Sequence, residues 1–351
     1  MRKIVRTFLS VFMFAAALSC SQKSHHITIT GFAQGGTYAV KLNAEGLDLT
    51  PEQVKDSIDA ILQDIDNSLS GYNKKSLLSR FNAGETIVPD RYFMEIYRLA
   101  YEVFEQTEGA VDVAAAPLYD AWGFGFANDS LPSDDMVAEL VGSCGMARLK
   151  KDISGALAED GTLSPVNLLK EPGKLPELNY NAIAQGYSCD VVKSYLYSLG
   201  VKDMLVDIGE IFCDGLNPSA LPWTLAIDRP VDGNNDPGSM IQGIFRAPEG
   251  PHGIVTSGNY RKFYMRDGKK YAHTVDPRTG YPVEHTLLSA TVVAPDAALA
   301  DAYATYCMVI GLDEACGFIS SLPDVEACLI YDQDGVFQTW CSEGFVLESI
   351  D

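Results

Sequence analysis

The sequence predicts an α+β fold in which mixed, mostly antiparallel sheets are flanked by helices. Three patterns support this class. Residues 260–274 alternate in polarity on either side of an Asp-Gly turn, which is typical of a β-hairpin. Residues 49–69 carry apolar side chains at helical spacing. The C-terminal tail repeats a strand, a DQDG turn and a second strand, so helices and hairpins occur in one chain.

Composition limits the classes of partner. The chain has 351 residues, of which 47% are hydrophobic and 21% are charged, as in a soluble globular protein. Its formal net charge of −21 argues against nucleic acid and anionic membrane surfaces as partners. A phosphate ligand would therefore need local arginine, backbone N–H groups or a metal ion to hold it.

The N-terminus has the pattern of an export signal. A positively charged start precedes an apolar stretch that is too short to span a bilayer, and Cys20 then follows a small residue. We expect a lipoprotein signal peptide over residues 1–20 with Cys20 lipidated, a tether over residues 21–30 and a folded domain over residues 31–351. Ordinary cleavage near residues 15–17 is the alternative. Either way we expect an exported protein, and the lipoprotein interpretation implies membrane anchoring in a bacterial cell envelope, facing the periplasm.

The remaining cysteines show no metal or redox motif. They are irregularly spaced and include no CxxC pair. The simplest interpretation of the cysteines in helical patterns is that they are small, buried hydrophobic residues. Any disulfide pairing stays open for Cys144, Cys189, Cys213, Cys307, Cys316, Cys328 and Cys341.

The first elements are a bent strand and an amphipathic helix. Residues 27–42 alternate like a strand and contain a Gly-Gly bend. In the helix that follows, Thr50 is a good N-cap, and Gln53 completes a capping-box pattern. Its apolar positions are expected to lie in the core.

The middle of the chain continues with helices and short strands. Asp90 is expected to begin a second helix, which ends at Gly109. Residues 129–173 are the least regular part and indicate an insertion or long loop around short elements. A helix ending at Gly200 then leads to further strands, including residues 223–227.

The most informative stretch contains the sequence HTVDPRTGYP. His273, Asp276 and Arg278 fall within six residues of one another. Pro277 cannot continue a central strand, and Gly280 suits a left-handed turn, so the three polar groups should lie on a shaped loop. The simpler interpretation is that DPRTG is only a turn.

A helix that carries two oxygen donors follows this loop. It begins near Asp296 and is closed by Gly311. Asp301 and Thr305 are four residues apart, so they share one helix face with about 5–6 Å between their Cβ atoms. This pair is a plausible half-site for Mg²⁺, which prefers oxygen ligands. The alternative is a solvent-facing Asp near a helix N-terminus, with the Thr305 hydroxyl bonded back to the helix.

Seven blocks of the chain are informative in combination: GFAQGGTYAVK, LSGYNKKSLLSRFN, GAVDVAAAPLYDAWGFG, LNYNAIAQGYSCD, LVDIGEI, TSGNYRKFYM…HTVDPRTGYP and ADAYATYCMVIG. Taken in order, they resemble the ApbE family of FAD:protein FMN transferases. The resemblance implies two lobes with a flavin cleft between them. It also implies Mg²⁺-dependent transfer of FMN from FAD, the substrate, to a Thr (or Ser) hydroxyl of an acceptor protein, with release of AMP. Typical acceptors are subunits of Nqr- and Rnf-type redox complexes with a D-x-x-[ST]-G-A-[TS]-like motif.

The resemblance also implies roles for individual residues. His273 would be the catalytic histidine, and Asp276 would orient it or help to hold metal. The metal would be bound by Asp301, Thr305 and the main-chain carbonyl of Ala182. The positions expected to lie near FAD are Gln34, Tyr72, Ala114, Ala115, Ala116, Asn179, Gln185, Ser257 and Val275.

Some positions depart from the family pattern. Gln34 stands where the family usually has Met, and Asn179 and Gln185 stand where it often has Asp and Lys. Gly209-Glu210 replaces the commoner glycine pair. Two alternatives to the transferase therefore stay open: an Mg²⁺-dependent FAD pyrophosphatase giving FMN and AMP, and a lipoprotein that binds flavin without chemistry.

Overall fold

The computed structural model describes residues 25–124, 131–234, 238–260, 263–266 and 269–350. The predicted signal peptide with Cys20 and the Asp267-Gly268 turn lie outside these residues. Within them, no helix is long and apolar enough to cross a membrane.

One large sheet forms the centre of the fold, with strand order β1-β2-β3-β4-β7-β12-β13-β14. A three-stranded sheet (β15-β6-β5) and two two-stranded sheets (β8-β9 and β10-β11) accompany it. All pairings among the described strands are antiparallel. The strands are β1 (His26–Ala33), β2 (Gly36–Asn43), β3 (Met204–Asp207), β4 (Ile211–Asp214), β5 (Thr224–Asp228), β6 (Ile241–Arg246), β7 (His252–Gly258), β8 (Phe263–Arg266), β9 (Lys269–Ala272), β10 (Val275–Asp276), β11 (Tyr281–Pro282), β12 (Leu287–Ala294), β13 (Glu326–Gln333), β14 (Val336–Cys341) and β15 (Leu347–Glu348).

Nine α-helices occur among the described residues. They are α1 (Pro51–Leu69), α2 (Leu77–Asn82), α3 (Arg91–Gln106), α4 (Ala116–Ala121), α5 (Asp134–Ser143), α6 (Pro165–Leu168), α7 (Ala184–Ser198), α8 (Ala297–Ile310) and α9 (Leu312–Ser320). Together with the sheets, they confirm the predicted α+β class.

The predicted helix ends are confirmed where local chemistry sets them. At α1, the Thr50 hydroxyl accepts the N–H of Gln53, and the Gln53 side chain accepts the N–H of Thr50. At α3, the Asp90 carboxylate accepts the N–H of Phe93 at 2.9 Å. Both contacts join residues three apart, so the sequence alone contains the information.

The folded chain starts earlier than the predicted boundary at Gly31. Strand β1 begins at His26, and Ile29, which is 4% exposed, pairs with Val40 of β2. The side chain of Ile29 is buried against the core beneath the sheet, and this burial holds the start of β1 in place.

Two large apolar cores meet near the site. The first contains Phe93 and Leu196, together with Val111 and Val113. The second lies between α8 and strands β12 and β13, and includes Met308. Because Val111, Val113 and Met308 all line one cavity, residues of both cores contribute to its wall.

Candidate active site

Two glycines allow helix α8 to pack closely against α7 and β7. A Cβ atom placed on Gly186 of α7 would lie 2.3 Å from the carbonyl oxygen of Ala297, and one on Gly253 of β7 would lie 2.4 Å from the Cα of Ala297. Both distances are far inside van der Waals contact, and the atoms met are backbone. The small residues of AALADA therefore allow α8 to pack directly on α7 and on the central sheet.

Asp301 is buried in this contact. Its side chain accepts a hydrogen bond of 3.2 Å from the N–H of Gly186, at the N-terminus of α7. The N-terminus of α7, where an anion could bind, therefore faces a carboxylate of the chain itself. Burial raises the pKa of the Asp301 carboxyl to about 7 because the charged form loses its hydration.

A second carboxylate fixes the start of α8. Asp190 of α7 accepts the N–H groups of Ala297 and Ala298 at 3.0 and 2.9 Å. Lys193 bridges it to Asp296, with N···O distances of 2.8 and 2.6 Å. Asp190 thus supplies the acceptor that a helix N-terminus needs, since Asp296 itself makes no capping hydrogen bond.

A cavity of about 630 Å³ opens beside α8. Its lining residues come from two parts of the chain, positions 72–182 and positions 210–309. Its size suits a cofactor-sized ligand. The predicted site residues that line it are Tyr72, Asn179, Ala182, Ser257, His273, Val275, Asp301 and Thr305.

The oxygen donors of this wall fit a hard cation. Asp301, Thr305 and Ala182 line the same cavity, and the Thr305 hydroxyl makes no hydrogen bond to any described residue. The described chain contains no group of three or more His, Cys, Asp or Glu side chains that would hold a metal ion by themselves. Mg²⁺ commonly binds through one or two carboxylates and substrate phosphates. The buried carboxylate, the hydroxyl and a main-chain carbonyl match that pattern.

The contacts of Asp276 differ from those expected. Arg278 donates to both carboxylate oxygens at 2.9 Å through its guanidinium, and its N–H also donates at 2.9 Å. Asp276 is not part of the described cavity wall, whereas His273 is. The ion pair with Arg278 shapes the loop, and Gly280 adopts the predicted left-handed conformation with φ +83°. The structure therefore does not support Asp276 as a metal ligand or as the partner that orients His273.

Five other predicted flavin contacts lie off the cavity wall. Gln34 donates to the Ser188 hydroxyl at 2.5 Å, and Gln185 donates to the carbonyl of Ile208 at 3.2 Å. Ala114, Ala115 and Ala116 are at most 2% exposed. The N–H of Ala114 donates to the Asp112 side chain, so this N–H is not available to a ligand.

The sequence did not single out several residues of the wall. Asp112 caps the turn before α4 and accepts the N–H of Met146 at 3.0 Å. Burial raises the pKa of its carboxyl to about 6. Glu210 also lines the cavity, at the position that departs from the family pattern. The other additional residues are Ala110, Val111, Val113, Tyr119, Gly123, Asn181, Thr256, Gly258, Tyr260, Phe263, Thr274, Met308 and Val309.

Of two aromatic residues near the His273 loop, one lines the cavity and the other is buried beneath the loop. Phe124 lines the cavity, with its ring centroid 6.4 Å from that of His273. Trp122 is buried instead, and its Nε1–H donates to the carbonyl of Gly280 at 2.7 Å. Trp122 therefore belongs to the core that supports the loop, as aromatic residues commonly do.

Comparison with known proteins places these features in a family context. The model of the ApbE family matches residues 34–329. A relative from Haemophilus influenzae named FAD:protein FMN transferase is 31% identical, with 98% of each chain covered. One from Vibrio cholerae with the same name is 30% identical over 93% of each chain. A crystal structure of the flavinyl transferase ApbE from Pseudomonas stutzeri superimposes with a TM-score of 0.76 at 30% identity, covering 91% of this chain and 95% of that one.

Proposed function

The chain belongs to the ApbE family, and we propose that it is an FAD:protein FMN transferase. In this proposal, FMN passes from FAD to the hydroxyl of a Thr (or Ser) in an acceptor protein, and AMP is released. The observation that carries it is the convergence of Tyr72, His273, Asp301 and Thr305 on one cavity. An exposed ring for the flavin, a base and a cation site are the parts that the reaction needs.

Each of these groups has a task. Tyr72 lies 72% exposed on the wall, where its ring can stack on the isoalloxazine. His273 accepts the proton of the incoming hydroxyl as its oxygen bonds to the FMN phosphorus. The bond from that phosphorus to the AMP oxygen breaks, and AMP leaves with the electron pair.

We propose that Mg²⁺ binds to the Asp301 carboxylate, the Thr305 hydroxyl and the Ala182 carbonyl. When bound, it would neutralise the charge that develops on the pyrophosphate. The need for a cation follows from the net charge of −21, which repels a dianionic substrate. Gly186 and Asp190 keep the helix that carries two of the three ligands in position.

Partners and location complete the proposal. The acceptors would be proteins of Nqr- or Rnf-type redox complexes carrying a D-x-x-[ST]-G-A-[TS]-like motif. A lipid on Cys20 would anchor the enzyme to a bacterial envelope membrane, facing the periplasm. The charged start and the apolar stretch before Cys20 support this. Expression with a labelled fatty acid tests it, since Cys20→Ala should abolish incorporation and retained label would contradict the anchor.

The test of function is incubation with FAD, Mg²⁺ and an acceptor domain, followed by intact-mass measurement of the acceptor. The expected result is a covalent FMN adduct with equimolar AMP, and no adduct when the acceptor Thr is replaced by Val. Free FMN and AMP with an unmodified acceptor would instead identify a pyrophosphatase. Intact bound FAD would identify a flavin-binding protein.

A further inference from the structure

Cys328 and Cys341 lie directly opposite each other on neighbouring strands. They are paired in the register of β13 and β14, the last two strands of the central sheet. A two-residue turn joins these strands, with φ 55° at Asp334 and 81° at Gly335. Positive φ at both positions is the conformation of a tight hairpin turn, and such a turn fixes the register of the whole hairpin.

The type of pairing favours contact between the two side chains. The N–H of Ser342 donates to the carbonyl of Ala327 at 3.0 Å, so the neighbouring residue pair is hydrogen-bonded. Because the two kinds of pair alternate in an antiparallel ladder, the Cys328–Cys341 pair is a non-hydrogen-bonded one. Such pairs have Cα atoms about 4.5 Å apart. That separation falls within the range of about 4.4–6.8 Å found in disulfides.

Both thiols are free, and they differ in accessibility. The neighbouring thiol lowers the pKa of Cys341 and raises that of Cys328. Cys328 is fully buried, whereas Cys341 is partly exposed. A reagent in solution would therefore meet Cys341 first.

We propose that Cys328 and Cys341 form a cross-strand disulfide when the chain meets a disulfide oxidant. The Cys341 thiolate attacks one sulfur of the oxidant, forming a mixed disulfide and releasing the first oxidant thiol. The Cys328 sulfur then attacks Cys341 and releases the second. Two thiols of the chain are oxidised, one disulfide of the oxidant is reduced to two thiols, and the protons of Cys328 and Cys341 pass to those thiols.

The bond would fasten the end of the chain. Strand β14 is the outer strand of the central sheet, and the chain runs from it to β15 on the smaller sheet. There the ring of Phe345 stacks on Phe245 with centroids 4.2 Å apart. A covalent link beneath β14 therefore restricts unfolding of this whole segment. Neither cysteine belongs to the described cavity wall, so oxidation should leave FAD turnover unchanged.

The test compares the full chain after treatment with oxidised glutathione and after reduction. Remaining thiols are alkylated, and the masses of the intact chain and of its proteolytic peptides are measured. Two variants accompany the wild type. Cys341→Ser removes a partly exposed thiol of the pair, and Cys316→Ser removes a thiol of similar exposure on α9 as the matched control.

The expected result is one disulfide-linked peptide pair that contains Cys328 and Cys341, with a higher melting temperature than the reduced chain. That pair and the temperature shift should persist in Cys316→Ser and be absent in Cys341→Ser. The proposal is overturned if both thiols stay alkylatable after oxidation. It is also overturned if the bridge joins other cysteines, such as Cys307 and Cys316. Mapping on the wild type decides this even if a variant folds poorly.

Discussion

The N–H of Gly186 on α7 donates a hydrogen bond of 3.2 Å to the buried carboxylate of Asp301 on α8. The contact is possible only because Gly186 has no side chain, since a Cβ there would lie 2.3 Å from the carbonyl of Ala297. One glycine therefore sets both the spacing of the two helices and the orientation of the proposed metal ligand.

Gly186→Ala should separate α7 from α8. We expect a loss of about 1–3 kcal/mol in the free energy of unfolding, because the atoms met are backbone and cannot rotate away. Mg²⁺ binding should weaken as well. Gly317→Ala on α9 is the control, since its new methyl group meets nothing within 4 Å. Chemical unfolding and calorimetric Mg²⁺ titration measure both effects, and equal behaviour of the two variants would contradict this role.

Asp190→Asn should weaken Mg²⁺ binding without touching the metal. Loss of its charge weakens the hydrogen bonds that Asp190 accepts from Ala297 and Ala298. Groups that orient metal ligands in this way typically contribute about 10–100-fold in metal affinity. The control is Asp90→Asn, which alters the cap of α3 in the same chemical way. Calorimetric titration should show weaker Mg²⁺ binding in Asp190→Asn alone. A purely structural cap would instead lower the stability of both variants and leave both affinities unchanged.

Tyr72→Ala should weaken FAD binding by about 10-fold through lost stacking. Thermal stability should not change, because the side chain is 72% exposed. Tyr72→Phe should retain affinity. Phe32→Ala removes a ring of equal exposure, 72%, that is not part of the described cavity wall, and serves as the control. Fluorescence titration with FAD measures the dissociation constants of the three variants. A wild-type dissociation constant for Tyr72→Ala would exclude Tyr72 from the flavin site.

Asp112 should make stability depend on pH. Burial raises the pKa of this carboxyl to about 6 in the folded chain, from about 3.9 when unfolded. Between these values only the folded state keeps the proton, so the free energy of unfolding falls as pH rises from about 4 to 6. The difference is on the order of 2–3 kcal/mol. Asp112→Asn should remove this component in urea unfolding at several pH values, and parallel curves for variant and wild type would refute it.

The features that the sequence predicted correctly depend on contacts between residues close together in the chain. The caps at Thr50 and Asp90 depend on contacts over three residues, and the shared face of Asp301 and Thr305 depends on helical spacing. The Asp334-Gly335 pair of the DQDG turn also fixes the register of the last hairpin, so the opposition of Cys328 and Cys341 can be read from the sequence.

Two kinds of contact explain what the sequence did not predict. Asp276 pairs with Arg278, two residues further along, because the turn brings the guanidinium back onto the carboxylate. The other contacts are long-range: the Gln34 side chain donates to the Ser188 hydroxyl, 154 residues away, and Asp112 accepts the N–H of Met146, 34 residues away. These two contacts depend on tertiary packing rather than on spacing along the chain.

The most direct test of the account is AMP release from FAD, with an acceptor present, at increasing Mg²⁺ concentrations for the wild type and Asp301→Ala. Thermal unfolding should first establish that the variant is folded. We predict that Mg²⁺-dependent release falls by about 100-fold or more, because the cation loses the carboxylate ligand of the proposed site. Unchanged release at every Mg²⁺ concentration would contradict both the metal site and the proposed centre of the transferase.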